Sequence, residues 1–194
     1  MRRAFAPRNL VFATEDGIVS VVVLNDTDLV WQGLLQLSRE RLDGLTLATT
    51  SVEVSVQPRS STPIALLAQL FTPENPTAEI VVARLDTVTR VHTFVEDFEL
   101  SLDPDPIDVE VLQAEDGYAV KVTARSFVRE VTLLADRAAA DATVDDALVT
   151  LPAGQSTTFR VRTSARNLEQ ALDGPPVLRT ANDLQHTQSV ARRG

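Results

Sequence analysis

The stretch "EIVVARLDTVTRVHTFV" at residues 79–95 is rich in β-branched residues and alternates apolar with polar side chains. In an extended chain successive side chains point to opposite faces, so this pattern predicts a half-buried antiparallel strand. Working outward, the same pattern recurs at "GIVSVVVL" (17–24), "TLATTSVEVSVQ" (46–57), "IDVEVL" (107–112), "YAVKVTA" (118–124) and "TTFRVRT" (157–163). Turn-forming residues separate these runs: "EDG" at 15–17, "NDTD" at 25–28, "LDG" at 42–44, "EDG" at 115–117 and "PAG" at 152–154. Short strands at a spacing of about 8–12 residues read as an all-β, sandwich-type protein. Helix-forming residues are scarce. "PIALLAQLF" (63–71) has room for two turns and "NLEQAL" (167–172) for one.

The segment "DPDPI" at 103–107 divides the chain. Each proline holds the preceding aspartate extended and cannot donate to a sheet ladder, so neither belongs in a central strand. A similar order of events lies on each side of it. "NLVFATEDGIVSVVVL" (9–24) and "IDVEVLQAEDGYAVKV" (107–122) both run strand, Glu-Asp-Gly turn, strand. The expectation is two tandem copies of one antiparallel β-sandwich, residues 1–101 and 106–194.

Composition narrows the function classes. The chain has 194 residues and a net charge of −9, and among its 18 basic residues only Lys121 is not arginine. An acidic chain without a basic stripe is not expected to bind nucleic acid, where phosphate contacts dominate affinity. No apolar run approaches the roughly 18 residues of a membrane-spanning helix, so no membrane partner is expected. Pro7, Arg8 and Asn9 interrupt any apolar core after Met1-Arg2-Arg3, which excludes a signal peptide and makes a cytoplasmic location the expectation. The absence of cysteine excludes disulfides, thiol nucleophiles and thiolate metal sites.

The chemically capable residues read as framework. A retaining glycosidase needs two carboxyls about 5–5.5 Å apart across a cleft. Asp145 and Asp146 are sequence neighbours, which in an extended segment point to opposite faces. One is expected to cap a turn by accepting backbone N–H bonds and the other to be solvated. Glu15-Asp16 and Glu115-Asp116 precede Gly17 and Gly117, as tight hairpins require. Asp103 and Asp105 read as a solvated linker rather than a calcium site. His92 sits in an alternating strand and His186 in a polar tail. No Gly-x-Ser-x-Gly elbow supports a Ser/His/Asp assembly, and no glycine-rich phosphate loop or Cys/His spacing is present. Trp31 and Tyr118 are candidates for stacking on a sugar ring, with core packing the preferred alternative. Arg160 with Arg162, and Arg39 with Arg41, lie two apart and are expected to face water or an acidic neighbour. The chain is therefore expected to carry no catalytic, cofactor-binding or metal-binding residues of its own.

The segment "RRAFAPRNLVFATEDGIVSVVVLNDTDLVWQGLLQLSRERLDG" (2–44) resembles the first immunoglobulin-like module that follows the catalytic barrel in β-mannosidases of glycoside hydrolase family 2. The resemblance is carried by Arg3, Ala4, Ala6 and Pro7, then Asp16-Gly17, then Asn25-Asp26-Thr27. "FVREVTLLADRAAADATVDDALVTLPAGQSTTFRVRT" (127–163) resembles the C-terminal immunoglobulin-like module of the same enzymes, with two departures. Asp146 stands where Asn is usual, and Ala153 is inserted between Pro152 and Gly154. The resemblance implies two tandem immunoglobulin-like antiparallel β-sandwiches acting as non-catalytic accessory modules. Their partner would be the catalytic barrel of a retaining glycosidase that releases terminal β-linked mannose. It also implies that the chain is either an excised C-terminal fragment, cut at Met1, or a stand-alone relative without the barrel. The alternatives are a free-standing carbohydrate-binding or adhesion module, and the same modules from another family 2 enzyme such as a β-galactosidase or β-glucuronidase.

Overall fold

A computed structural model describes residues 6–15 and 18–183. The chain divides between Ser101 and Leu102 into two compact units. Each unit is a pair of antiparallel sheets, so the protein is all-β, with tandem β-sandwiches of the immunoglobulin-like type.

In the N-terminal unit the strands are β1 (Arg8–Glu15), β2 (Ile18–Asn25), β3 (Trp31–Arg41), β4 (Thr46–Val56), β5 (Ser60–Ala65), β6 (Glu79–Leu85) and β7 (Val88–Thr93). One sheet has the order β1-β2-β5 and the other β4-β3-β6-β7. Between them lies a core that includes Leu10, Val21, Val23, Trp31, Leu35, Leu37, Val56 and Leu85, with Leu70 from α1 (Ala68–Phe71). Each such side chain, once removed from water, contributes roughly 1.5–3 kcal/mol. The expected helix at 63–71 is cut short because 63–65 belongs to β5, where Pro63 lies opposite Val22.

The opening stretch is not one alternating strand. It folds back as β6 and β7, with Leu85 opposite Val88 and Asp86 at a positive φ of 52° in the turn. Aspartate tolerates that left-handed conformation better than a branched residue would. Ile80, Val81, Val82 and Ala83 are all buried, so β6 is shielded on both faces. Its continuous apolar run reflects that, and the half-buried reading applies to β7 alone.

The Asn25-Asp26-Thr27 turn is held by a buried asparagine. Nδ2 of Asn25 donates to the carbonyls of Leu29 (2.8 Å), Val56 (3.0 Å) and Gln57 (3.1 Å). Its Oδ1 accepts from the Thr27 hydroxyl at 2.7 Å. One side chain therefore ties the β2–β3 connection to the end of β4. The expected Asp16-Gly17 corner lies outside the described residues.

The C-terminal unit comprises β8 (Ile107–Ala114), β9 (Gly117–Ala124), β10 (Val128–Leu133), β11 (Thr143–Val144), β12 (Val149–Leu151), β13 (Ser156–Arg162) and β14 (Leu178–Arg179), with a 3-10 turn at Ala135–Arg137 and one turn of α-helix, α2 (Glu169–Leu172). Its sheets have the orders β11-β13-β9-β8 and β12-β10-β14. Tyr118, Val120, Val122, Phe159 and Val161 from the first meet Val128, Val131, Leu133, Val149 and Leu151 from the second. Gly117 has φ +145°, and a Cβ there would lie 2.1 Å from the Val161 carbonyl oxygen. Only glycine lets β13 approach so closely. Asn182 plays the part that Asn25 plays in the other unit. Its Nδ2 donates to the carbonyls of Asp103 and Phe127, and its Oδ1 accepts from the Arg129 amide.

Candidate functional site

A polar groove of about 740 Å³ lies on the outer face of the β4-β3-β6-β7 sheet. Leu35 and Leu37 of β3 point into the core, so Gln36, Ser38 and Glu40 point the other way. Antiparallel pairing sets Gln36 opposite Arg84, which carries the guanidinium to the same face. The Ser38 hydroxyl donates to Glu40 Oε1. Arg84 Nη1 donates to that oxygen at 2.8 Å and to Ser38 Oγ at 3.0 Å, and Nη2 reaches Oε2 at 3.4 Å. Ser38 and Glu40 are each only 6% exposed, although they face away from the core. Thr46, Thr49, Ser51 and Leu34 complete the walls. Glu40 is the one carboxylate in this lining, so the groove lacks the second acid that glycoside hydrolysis needs.

A second cluster gathers around His92. The rings of Phe12, Phe71 and Phe94 lie 5.4, 5.3 and 5.7 Å from the imidazole centroid. Burial lowers the His92 pKa below its usual value, because the imidazolium loses water there. Three of the seven phenylalanines meet at this point, brought from β1, α1 and the end of β7. Their tilted and edge-on contacts do not form a flat stacking surface.

The sequence-predicted acids are dispersed. Asp145 accepts from the Arg160 amide of β13 and Asp146 from the Ala147 amide, each at 2.9 Å. Both therefore fix backbone, and Asp145, the exposed one of the pair, is also the solvated one. Asp116, in the β8–β9 turn, pairs with Arg162 at the end of the neighbouring strand β13 at 3.1 Å. The Asp-Pro-Asp-Pro segment is engaged rather than simply solvated: Asp103 accepts from Ser126 Oγ and the Asp105 amide, while Asp105 and Asp108 both pair with Arg125. Among the described residues no group of three or more His, Asp or Glu side chains is placed to hold a metal ion. His186 lies outside the described residues.

Trp31 and Tyr118 are each 1% exposed, so neither can stack on a ligand. Trp31 donates its Nε1–H to Asp86 at 2.6 Å beneath the Arg8 guanidinium, and Tyr118 Oη accepts from the Leu168 amide. Arg160 and Arg162 do face outward, as does Arg41, which pairs with Asp43. Arg39 does not. Its side chain is 11% exposed and bonds to the buried Glu79.

Sequence reasoning did not single out Ser38, Glu40, Arg84 or Asp141. Asp141 accepts from Thr163 Oγ1, the Ser164 amide and Ser164 Oγ, which together hold its pKa down at about 2. Period-two spacing marks Ser38 and Glu40 as neighbours on one face, but Arg84 joins them only through strand register.

Comparison with solved structures places this geometry. The chain shares its fold with part of a β-mannosidase. The enzyme from Dictyoglomus thermophilum superposes with a TM-score of 0.72 at 16% sequence identity, over 93% of this chain and 22% of the mannosidase. The exo-chitosanase CsxA of Amycolatopsis orientalis superposes with a TM-score of 0.50 at 16% identity, over 93% of this chain and 26% of that one. The chain thus spans about a quarter or less of the length of the glycosidases it matches. No protein-family model matches the sequence, and no curated protein matches it closely enough to count.

Proposed function

We propose that the chain supplies the two C-terminal accessory β-sandwiches of a β-mannosidase-like retaining glycosidase, residues 1–101 forming the module next to the catalytic barrel and 106–194 the terminal one. Its function is then to pack against and order that barrel, while hydrolysis of terminal β-mannosides belongs to the rest of the parent protein. The observation that carries this reading is the extent of the mannosidase match. It takes in both sandwiches, at 93% of the chain, within a polypeptide several times longer. A lone adhesion domain would need to match only one sandwich. The burial of Trp31 and Tyr118 supports the same side, because it removes the two side chains best suited to a carbohydrate-binding platform.

Two measurements test the reading. The isolated chain should not turn over an aryl β-mannoside, and robust hydrolysis would overturn it. The reading frame upstream of residue 1 should encode a barrel with two catalytic glutamates, and a frame encoding an unrelated domain would defeat it. The chitosanase shares the fold, so the substrate of that barrel is tested by a panel of aryl glycosides, with the mannoside expected to be preferred.

A further inference from the structure

We infer that the outer face of the β1-β2-β5 sheet is the surface on which the parent's catalytic barrel docks, a role that rests on the accessory-module function proposed above. Register settles which side chains form this face. Leu10, Val21 and Val23 lie in the core, and Ile64, opposite Val21, packs against them. The alternate positions therefore point outward: Val11 and Ala13 from β1, Val22 and Leu24 from β2, Pro63 and Ala65 from β5. The other outward positions with described side chains are Asn9, Ser20 and Ser61, so among the described side chains this face carries no charge. Val11 is 43% exposed, and Leu67, the next outward position beyond β5, is 54% exposed.

The second unit shows what a solvated sheet face looks like in this chain. Its β8–β9 hairpin is built in the same order, yet its outward positions include Asp108, Glu110 and Lys121, with Arg160 and Arg162 beside them on β13. An antiparallel sheet with one face in water alternates apolar with polar residues. β8 and β9 follow that rule, and β1 and β2 break it on the outer side. A contiguous exposed face of this kind marks a protein contact.

Two observations select the occupant. β5 is an edge strand, and Pro63 removes a donor from it, so the sheet is not built for extension by a strand of a second copy. The mannosidase that shares this fold is several times longer than the chain, and the accessory-module role puts its barrel ahead of residue 1. Seven residues precede Arg8, where β1 begins, and they reach at most about 25 Å when fully extended. Such a tether holds the barrel beside this sheet at an effective concentration of about millimolar, where a modest contact suffices. A concavity of about 460 Å³ lies at the same end of the face, lined by Pro7, Asn9, Leu24 and the Asp26–Arg59 pair, and can seat a protruding side chain. The barrel surface that fits is itself uncharged, because a charge buried against this face would find no partner.

The test compares amide hydrogen exchange in the full-length parent and in the isolated chain. Amides of β1, β2 and β5 should exchange about tenfold or more slowly in the parent, because docking opposes local opening of the sheet. Val11→Lys puts a charge on the face at an exposed position. It should move the isolated chain's melting midpoint by less than about 4 °C and abolish the extra protection in the parent. Leu112→Lys makes the same change at a 53% exposed outward position of β8 and should leave that protection intact. Equal exchange in both proteins, protection that survives Val11→Lys, or protection lost on dilution (the mark of a second copy) would overturn the inference. An upstream frame without a barrel defeats both readings, whereas a barrel-bearing parent without the protection defeats this one alone.

Discussion

Replacing Gly117 with alanine isolates the closest backbone approach in the C-terminal unit. The residue has φ +145°, a region that L side chains rarely adopt, and holding alanine there costs about 1–3 kcal/mol. The new Cβ would also sit 2.1 Å from the Val161 carbonyl oxygen and 3.1 Å from the Thr163 nitrogen. Both are backbone atoms, so the strain can be relieved only if β13 retreats from β9 by roughly 1 Å, against a close-packed interior. That movement weakens the last pairing of the ladder, Arg162 opposite Gly117, and the hydrogen bond from the Thr163 amide to the Asp116 carbonyl. Each lost bond adds about 1 kcal/mol, for a total of about 3–5 kcal/mol. At about 4–8 °C per kcal/mol for a unit of this size, the midpoint should fall by more than about 12 °C. Gly154 is the control. It also has a positive φ, +78°, but a Cβ there meets nothing within 4 Å, so Gly154→Ala should cost only about 1 kcal/mol. Thermal unfolding followed by far-UV circular dichroism reads both units. Fluorescence of the single tryptophan, Trp31, reads the N-terminal unit and should stay unchanged in both variants. Equal midpoints for the two glycine variants would refute the reasoning.

The remaining expectations concern buried polar groups and titration. Asn25→Ala should destabilise the N-terminal unit by about 2–4 kcal/mol in urea unfolding, because the carbonyls of Leu29, Val56 and Gln57 lose their shared donor. Asp141 has a folded pKa of about 2, below its unfolded value, so its stabilising effect is complete above the ordinary carboxylate range. That effect should disappear as pH falls from about 4 toward 2, and Asp141→Asn should remove this part of the acid sensitivity in pH-dependent melting. His92 has linkage of the same sign, with burial as its cause. Its folded pKa lies below the unfolded one, so stability is complete above the unfolded pKa and falls as acid protonates the unfolded state first. His92→Phe should flatten the tryptophan-monitored midpoint between about pH 6.5 and 5, and an unchanged slope would assign that slope to other groups.

What the sequence disclosed depended on whether a signal was local. Period-two runs, Glu-Asp-Gly corners and the Asp-Pro-Asp-Pro divider each act within a few residues, and they were enough to read tandem sandwiches. The reading of 79–95 as one half-buried strand failed for a physical reason. Asp86 makes the corner with a left-handed backbone and no glycine, and β6 is covered on both faces, so alternation carried no information there. Arg39 was expected to meet water or an acidic neighbour, and of the two it meets the acid, in a buried pair with Glu79 that charge alone does not announce. The candidate groove shows the same boundary most clearly. Ser38 and Glu40 are co-facial by counting along β3, but Arg84 lies more than forty residues away and meets them only because β6 pairs with β3 in one register. A slip of that register by one residue would turn Arg84 into the core and strand the Glu40 carboxylate without its counter-charge. The site and the pairing of the strands are therefore one constraint, which explains why local pattern could foresee the sheet and not the site.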